Sequence, residues 1–290
     1  MIFAIGFLCS GELGLNTLKF LSREFIPQFI FTDNHSDGII EFATNNGIPI
    51  FIGNPRKKDP SEFLKKFKTD IIFSVNYLFI VEKNILNHPK FYAINLHGSL
   101  LPKYRGRTPH VWAIINGEKE TGITAHIMAE GCDTGDIVLQ RVIQIGLNHT
   151  GADILKEFKT IYPEMIFKLI MQIKTNQLKC IKQDHSKATY FGKRTSIDGQ
   201  INWNWQRERI YNWVRAQAYP YPGAYTMLRD QKIIIDQIIF SELGYENDMP
   251  NGLILRTDPT ILVKTPNGVI ELIKVRNDSM ITVISKEIFD

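Results

Sequence analysis

Short apolar runs alternate with amphipathic segments along the first 180 residues of this 290-residue chain. The apolar runs have strand length, and the segments between them carry the three-to-four-residue spacing of helices with one buried face. Strands separated by helical patterns of about 10 to 15 residues indicate βαβ units. The pattern therefore predicts an α/β fold, with a mostly parallel sheet covered by helices on both faces. The runs read as strands are MIFAIGFL, PQFIFTDN, IPIFIG, IIFSVNY and YAINLHG.

The pattern changes after residue 186. Residues 187–203 mix Gly, Ser, Thr and Lys and are typical of a linker, and QRERIYNWVRAQA then predicts a helix that the prolines of YPYPGAY end. Short β-like runs follow, with a turn at TPNG. We predict an N-terminal domain over 1–186 and a smaller, β-rich C-terminal domain over 204–290. The latter is expected to be a small antiparallel barrel or sheet, similar to an oligonucleotide-binding (OB) fold.

Composition excludes several classes of protein. Hydrophobic residues make up 44% of the chain and charged residues 22%, which is ordinary for a folded soluble protein. Apolar runs stay short of the roughly 20 residues that a membrane span needs, and the start lacks the basic region of a signal peptide. Three scattered cysteines form neither a disulfide nor a zinc pattern. We expect a cytoplasmic protein with no metal, and the net charge of +4 gives little support for nucleic-acid binding.

Candidate chemistry lies where the fifth predicted strand ends, in NLHGSLLPKYRGRTPH. Asn95 and His97 are two residues apart and so point to the same side of that strand. Ligands of parallel sheets collect at the carboxyl ends of the strands. A later glycine-containing loop could bring Asp133 to the imidazole. An amide, an imidazole and a carboxylate supply an oxyanion donor, a base and an orienting charge, although a histidine at a strand end is often purely structural.

The stretch NLHGSLLPKYRGRTPHVWAIINGEKETGITAHIMAEGCDTGDIV resembles the core signature of the formyltransferases that use N10-formyltetrahydrofolate. A weaker likeness includes RAQAYPYPGAY. The resemblance implies a Rossmann-like formyltransferase fold, N10-formyltetrahydrofolate as co-substrate, and catalysis by Asn95, His97 and Asp133. Asp133 is expected to orient the ring of His97 and to raise its pKa. Cys132 is expected to serve packing.

The same resemblance implies two sets of binding residues. A pterin pocket is expected from Asn76, Tyr77, Leu78, Phe79, Glu130, Gly131 and Asp136, with a plain loop, and a turn cap for Asp136, as the alternatives. The sugar nucleotide is expected to contact Lys103, Tyr104, Arg105, Lys193, Arg194, Trp203, Arg215 and Tyr221. Solvated surface cations, a loop brace for Arg105 and a structural role for the aromatics are the alternatives.

Charge favours one substrate class over another. Residues 201–290 hold 10 Lys and Arg against 11 Asp and Glu, whereas a domain that binds tRNA phosphates should be basic. The long loop of methionyl-tRNA formyltransferases after the second strand is also missing. We therefore predict a homodimeric N-formyltransferase of a nucleotide-linked amino sugar, dTDP-4-amino-4,6-dideoxyglucose above all, in synthesis of surface polysaccharide such as the lipopolysaccharide O-antigen. Methionyl-tRNA formyltransferase is the alternative, and a non-catalytic sugar-binding relative is disfavoured.

Overall fold

The chain divides into two compact units in the computed structural model, which describes residues 3–276 and 283–290. The first unit consists of Met1–Gly106, Thr121–Ile143 and Lys156–Phe191, and the second of Arg107–Glu120, Gln144–Leu155 and Gly192–Asp290. The boundary near residue 190 is close to the predicted one. The sequence pattern did not predict that two early segments, 107–120 and 144–155, group with the C-terminal residues.

A seven-stranded sheet forms the centre of the first unit in the described residues. Its order is β3-β2-β1-β4-β5-β7-β8, and the first five strands in that order run parallel. The parallel strands are fully or largely buried and consist mainly of Ile, Phe, Leu and Val, as a sheet covered on both faces requires. The strands of this sheet are β1 (Ile5–Cys9), β2 (Phe29–Thr32), β3 (Ile50–Ile52), β4 (Ile71–Val75), β5 (Tyr92–His97), β7 (Glu120–Ile127) and β8 (Ile137–Gln144). Two further strands, β6 (Arg105–Gly106) and β9 (Tyr190–Phe191), pair with each other in a separate two-stranded sheet.

The helices follow the predicted alternation. They are α1 (Gly11–Leu21), α2 (Asp37–Asn45), α3 (Ser61–Leu64), α4 (Lys83–Leu86), α5 (Pro109–Ile115), α6 (Gly151–Lys174) and α7 (Arg207–Ala216). The helix predicted over DPSEFLKKFKTD is only one turn long. Its chain closes into a tight turn, in which Phe67 N–H donates to the Leu64 carbonyl, and this brings the Phe67 ring to 5.2 Å from that of Phe29. Aromatic packing has thus replaced further helical turns.

Strand β5 lies in the middle of the sheet, parallel to β4 and antiparallel to β7. Its register with β7 pairs Asn95 with His126 and His97 with Thr124. Polar side chains from two neighbouring strands therefore meet at the edge where β1, β4 and β5 end.

The second unit contains α5, α7 and a five-stranded antiparallel sheet of order β10-β11-β14-β13-β12 among its described residues. Helices α5 and α7 pack against each other, which explains why residues 107–120 belong to this unit. The turn predicted at TPNG joins β13 and β14, and the predicted fold class is confirmed. The strands are β10 (Ala224–Leu228), β11 (Gln231–Ser241), β12 (Ile254–Arg256), β13 (Ile261–Thr265) and β14 (Gly268–Val275).

The predicted linker, residues 187–203, is largely built into the two units. Its first part contains β9, which pairs in parallel with β6 in the first unit. Its last residue, Trp203, is buried in the second unit. The polar composition of the segment does not indicate these contacts, which are the backbone pairing of β9 with β6 and the burial of the Trp203 side chain. Within the described residues, no helix is long and apolar enough to cross a bilayer.

Candidate active site

Four polar side chains from β5, β7 and one loop lie together in the first unit. Asn95 and His97 project from the end of β5, and His126 lies beside Asn95 on β7. The Asn95 Nδ2 atom is 3.1 Å from His126 Nε2. Asp133 faces both rings, with its Oδ2 atom 3.5 Å from His97 Nδ1 and its Oδ1 atom 3.5 Å from His126 Nε2. The structure thus brings the predicted trio together and adds a fourth member.

The carboxylate of Asp133 is held by the chain around it. Asp133 has a φ of 54°, in the left-handed region that Asp tolerates better than most residues. The Gly106 N–H donates to its Oδ2 atom at 2.9 Å. The Cys132 thiol, expected to serve packing, is instead exposed and donates to the same oxygen at 3.3 Å.

Gly106 is required at the position that holds this carboxylate. Its φ of 105° is unfavourable for any residue with a side chain, and an added Cβ would lie 2.2 Å from the Phe191 carbonyl oxygen. The close β6–β9 pairing therefore fixes the N–H that binds Asp133.

The ring of His97 is oriented by a backbone carbonyl. Its Nε2 atom lies 2.7 Å from the Tyr104 carbonyl oxygen, which can only accept, so Nε2 carries the hydrogen. In the neutral ring, Nδ1 then holds the lone pair and faces Asp133. The prediction that Asp133 orients the ring is therefore incomplete. The Tyr104 carbonyl fixes the tautomer, and Asp133 lies where it can stabilise the ring once Nδ1 has accepted a proton.

Burial lowers the pKa of His97, and the opposing influence of Asp133 does not reverse this shift. Asp133 does raise the pKa of His97, as expected, but the sequence analysis did not anticipate that burial would lower it by more. His97 is 6% exposed, so the loss of water around the imidazolium outweighs the attraction of the carboxylate. The ring is consequently neutral at neutral pH and able to accept a proton.

Burial alone would raise the pKa of Asp133, but its partners outweigh that effect. The His97 ring, the nearby His126 ring and the Gly106 N–H all favour the carboxylate, so the pKa of Asp133 lies well below its ordinary value. Asp133 is therefore ionised throughout the neutral range and stabilises a positive charge on His97.

The sequence analysis did not single out His126, although it lies within the quoted stretch GITAHIM. The register between β5 and β7 was needed to place it opposite Asn95. A histidine in a largely buried strand was the signal that the sequence offered.

Arg105, predicted to contact substrate, is an internal brace. It is 1% exposed, and its guanidinium donates to the Tyr190 hydroxyl at 2.5 Å and to Gln183 Oε1 at 2.6 Å. Gln183 in turn donates to the backbone carbonyls of Asp133, at 2.9 Å, and Gly135, at 2.6 Å. The alternative reading of Arg105 as a loop brace is therefore the one that the contacts support. Lys103 is exposed, and Tyr104 is buried with its ring stacked on Phe191.

The predicted pterin residues form two adjoining segments. The first follows β4, where Asn76 has a φ of 54° and donates to the Ser10 carbonyl, and where Leu78 is 40% exposed. The second is the loop of Glu130, Gly131 and Asp136, of which Glu130 pairs with Lys83 at 3.0 Å. This ion pair, and the packing of Met128 and Tyr77 against one core cluster, bring the ends of the two segments close together. The rings of Tyr77 and Phe79 meet edge to face, and the Asp136 backbone carbonyl accepts from Ile127.

Two predicted substrate cations in the second unit already have structural partners. Arg215 donates to the carbonyls of Gly146, at 3.0 Å, and His149, at 2.6 Å. Arg194 stacks over the rings of Trp112 and Trp213. Its guanidinium also donates to the Asp198 carbonyl and to the side chain of Gln217. These contacts join segments of their own unit and favour a structural role for both cations, and substrate contact stays a prediction. Lys193 is exposed and stays a predicted contact.

The predicted substrate aromatics are likewise structural. Trp203 is 4% exposed, stacks on Phe289 and donates to the Thr226 hydroxyl. The Tyr221 hydroxyl lies 2.7 Å from His110 Nε2. These contacts favour a structural role for both rings, and their contact with substrate stays a prediction. No group of three or more His, Cys, Asp or Glu side chains among the described residues is arranged so that it could hold a metal ion.

Two protein-family models match this chain. The formyl transferase family matches residues 21–170, and the formyl transferase C-terminal domain matches residues 193–289. The chain belongs to the formyl transferase family. Membership is therefore confirmed. The matched region contains all four polar side chains of the site.

Individual relatives place this formyl transferase in context. It is 36% identical over 259 residues to the bifunctional polymyxin resistance protein ArnA of Wigglesworthia glossinidia brevipalpis, covering 87% of this chain and 39% of the relative. The chain thus spans about two fifths of the length of that relative.

Three solved structures share the fold. WlaRD, a sugar 3N-formyl transferase solved with dTDP and 5-N-formyl-tetrahydrofolate, has a TM-score of 0.73 at 22% identity and covers 96% of this chain and 99% of its own. An N-formyltransferase from Helicobacter canadensis, with folinic acid and dTDP-3-aminofucose, has a TM-score of 0.71 at 21% identity and covers 93% and 99%. Methionyl-tRNA formyltransferase from Clostridium thermocellum has a TM-score of 0.58 at 21% identity and covers 93% and 99%.

Proposed function

We propose that this formyl transferase moves a formyl group from N10-formyltetrahydrofolate to the amino group of a nucleotide-linked amino sugar. The observation that carries the proposal is the group of Asn95, His97, His126 and Asp133 at the end of β5, in a chain of this family. It combines a neutral base, an ionised carboxylate and an amide donor within one site.

The residues can perform formyl transfer without a covalent enzyme intermediate. The neutral substrate amine attacks the formyl carbon, and the formyl oxygen gains negative charge that an Asn95 N–H stabilises. His97 Nδ1 accepts the proton of the amine, and Asp133 stabilises the resulting imidazolium at a distance of 3.5 Å. The proton then passes to N10 of the donor as the bond between N10 and the formyl carbon breaks.

The two adjoining segments after β4 and in the Glu130–Asp136 loop fit a folate pterin. Leu78 and Ile80 expose 40% and 58% of their surfaces, although both are large apolar residues. An exposed apolar wall beside a loop with available backbone groups is the usual composition of a small-molecule site. These residues would hold the formyl donor, and the donor supplies the activated formyl group.

The sugar-nucleotide substrate is supported by charge and by the relatives. The C-terminal residues 201–290 carry 10 basic and 11 acidic side chains, which disfavours tRNA phosphates. Two of the three structures above hold dTDP or a dTDP-amino sugar, and both have higher TM-scores than the methionyl-tRNA enzyme. We propose dTDP-4-amino-4,6-dideoxyglucose as the substrate. Surface-polysaccharide synthesis, including that of the O-antigen, a cytoplasmic location and a homodimer are parts of the same proposal.

The test is a substrate panel read by mass spectrometry. The purified protein is incubated with N10-formyltetrahydrofolate and with dTDP-4-amino, dTDP-3-amino and UDP-amino sugars, or with methionyl-tRNA. We expect one added formyl group on a nucleotide amino sugar, and formylation at least about a hundredfold slower with Asn95→Ala. Formylation of methionyl-tRNA alone would replace this function by the alternative, and formylation of neither class would overturn the proposal.

A further inference from the structure

His126 has contacts that the catalytic trio does not explain. It is 2% exposed, and its Nδ1 atom lies 2.9 Å from the Ile127 carbonyl oxygen. A carbonyl oxygen can only accept, so Nδ1 carries the hydrogen of the neutral ring. The Nε2 atom of His126 also faces Asp133 Oδ1, but at 3.5 Å, which is longer than an ordinary hydrogen bond, so the shorter contact to Ile127 decides where the hydrogen lies. Nε2 is therefore an acceptor, and it lies 3.1 Å from Asn95 Nδ2.

This acceptor fixes the orientation of the Asn95 amide. The Asn95 Nδ2 atom lies 3.1 Å from His126 Nε2. If the amide were turned by half a rotation, its oxygen would face the lone pair of Nε2, and both atoms would lose a hydrogen bond. A buried polar group that loses its partner is destabilising, so this contact selects one amide orientation.

The backbone makes this contact a built feature of the site. Asn95 and His126 are direct cross-strand neighbours in the β5–β7 register. Side chains directly opposite each other in an antiparallel pair are close enough to interact. The amide nitrogen has two hydrogens, so one donates to His126 and the second is left for another acceptor.

We propose, on the basis of the proposed function, that His126 is a positioning residue that acts through Asn95. It holds the amide nitrogen so that the second N–H is aimed at the formyl oxygen, where negative charge develops during attack. His126 itself neither touches the substrate nor accepts its proton. His97 remains the base, because its Nδ1 atom holds a lone pair and the adjacent Asp133 stabilises the positive charge that protonation creates.

Two substitutions at position 126 separate positioning from packing. His126→Leu fills the buried space without an acceptor, whereas the Oε1 atom of His126→Gln can reach the position of Nε2 and accept from Asn95. We expect His126→Leu to lower kcat by about 10- to 100-fold, less than complete loss of an oxyanion donor, with KM for the formyl donor changed less than about threefold. His126→Gln should recover at least about tenfold of that loss. If the Gln variant is as slow as the Leu variant while equally folded, the inference is wrong.

A double substitution tests whether the effect passes through Asn95. In an Asn95→Ala background, His126→Leu should change kcat by less than about twofold, because the group that it positions is already absent. A full additional loss would show that His126 acts independently and would overturn the inference. His88→Leu is the matched control, since His88 is a half-buried histidine of the first unit that contacts Thr69 and lies outside the site. It should retain the wild-type kcat.

The contact can also be tested without any turnover. Nitrogen-15 NMR of the histidine side chains distinguishes a hydrogen on Nδ1 from one on Nε2. We expect the Nδ1–H form for His126 in the wild type and in Asn95→Ala, because the Ile127 carbonyl fixes it. The Nε2–H form would overturn the inference. An Nδ1–H signal in a protein that formylates no member of the substrate panel would instead place the failure in the proposed function.

Discussion

The polar side chains at the end of β5 and the arginines of the second unit were both predicted to be functional, but their hydrogen bonding differs. At the end of β5, His97 retains a lone pair on Nδ1 that no donor occupies within the described contacts. In the second unit, Arg194 and Arg215 donate hydrogen bonds to carbonyl and side-chain oxygens of their own unit. A reactive group keeps bonding capacity for a substrate, whereas a structural group is satisfied internally.

The same contrast separates Arg105 from the catalytic residues of the first unit. Arg105 is as deeply buried as His97, but its donors hold Gln183 and Tyr190. Burial by itself therefore does not mark a catalytic side chain. The direction in which the remaining lone pair or hydrogen points is the more useful criterion.

The largest expected effect is the loss of the base or of the oxyanion donor. We expect His97→Ala and Asn95→Ala each to lower kcat by at least about a hundredfold. Steady-state formyl transfer with the best sugar nucleotide of the panel measures this, and circular dichroism checks that both variants are folded. Near-normal turnover in either folded variant would remove that residue from the mechanism and would break the comparison.

The next effect concerns the pH dependence of the reaction. Burial lowers the pKa of His97 and Asp133 opposes that shift, so Asp133→Asn should lower the pKa of His97 further. The rate is lost as His97 gains a proton, so the acidic limb of the kcat profile should begin below the ordinary histidine pKa. In Asp133→Asn this limb should move to still lower pH, while the maximal rate falls by about 10- to 100-fold.

Profiles of kcat and kcat/KM between about pH 5 and 9 measure both effects. A substrate amine also titrates, and it contributes a limb to kcat/KM near neutral pH that should be equal in the two proteins. An unmoved acidic limb of kcat in Asp133→Asn would show that Asp133 does not face the titrating base.

A smaller effect is expected from the brace behind the site. Gln183→Glu can still accept from Arg105, but it loses the donors that bind the Asp133 and Gly135 carbonyls. Gln183→Leu loses both functions. We expect the Glu variant to keep a Tm near that of the wild type and to lose about tenfold in kcat, and the Leu variant to lose about 1–3 kcal/mol of unfolding free energy as well.

Thermal unfolding and kcat, measured on both Gln183 variants, separate the two functions. Equal kcat values in wild type and Gln183→Glu would mean that the loop keeps its conformation without these hydrogen bonds. Arg105 would then brace Gln183 for stability alone.

The smallest effect on activity is expected in the second unit. Arg215→Met should leave KM for the sugar nucleotide within about twofold while lowering the unfolding free energy by about 1–3 kcal/mol, because two carbonyls lose their donor. Lys193→Ala, at an exposed position predicted to contact substrate, is the matched comparison and should raise KM without a change in Tm. The reverse pattern would return Arg215 to the substrate site and would show that satisfied hydrogen bonds are a poor guide here.

The sequence by itself determined the order of strands and helices and the position of Asn95 and His97 on one side of a strand end. Both follow from local rules, because apolar periodicity predicts elements and side chains alternate along a strand. The stretch that resembles the family signature also contains Asp133, which the structure brings to His97. The trio therefore needed little tertiary information to be suggested.

Tertiary structure alone decided what each polar group faces. The partner of His126 depends on the register of β5 and β7, the tautomer of His97 on the Tyr104 carbonyl, and the lowered pKa of His97 on burial that local sequence does not encode. The partners of Arg105 lie about 80 residues further along the chain, with sequence separations of 78 to Gln183 and 85 to Tyr190. Such pairings are set by the packing of distant segments, so charge and spacing could identify these side chains as candidates but could not separate the catalytic from the structural ones.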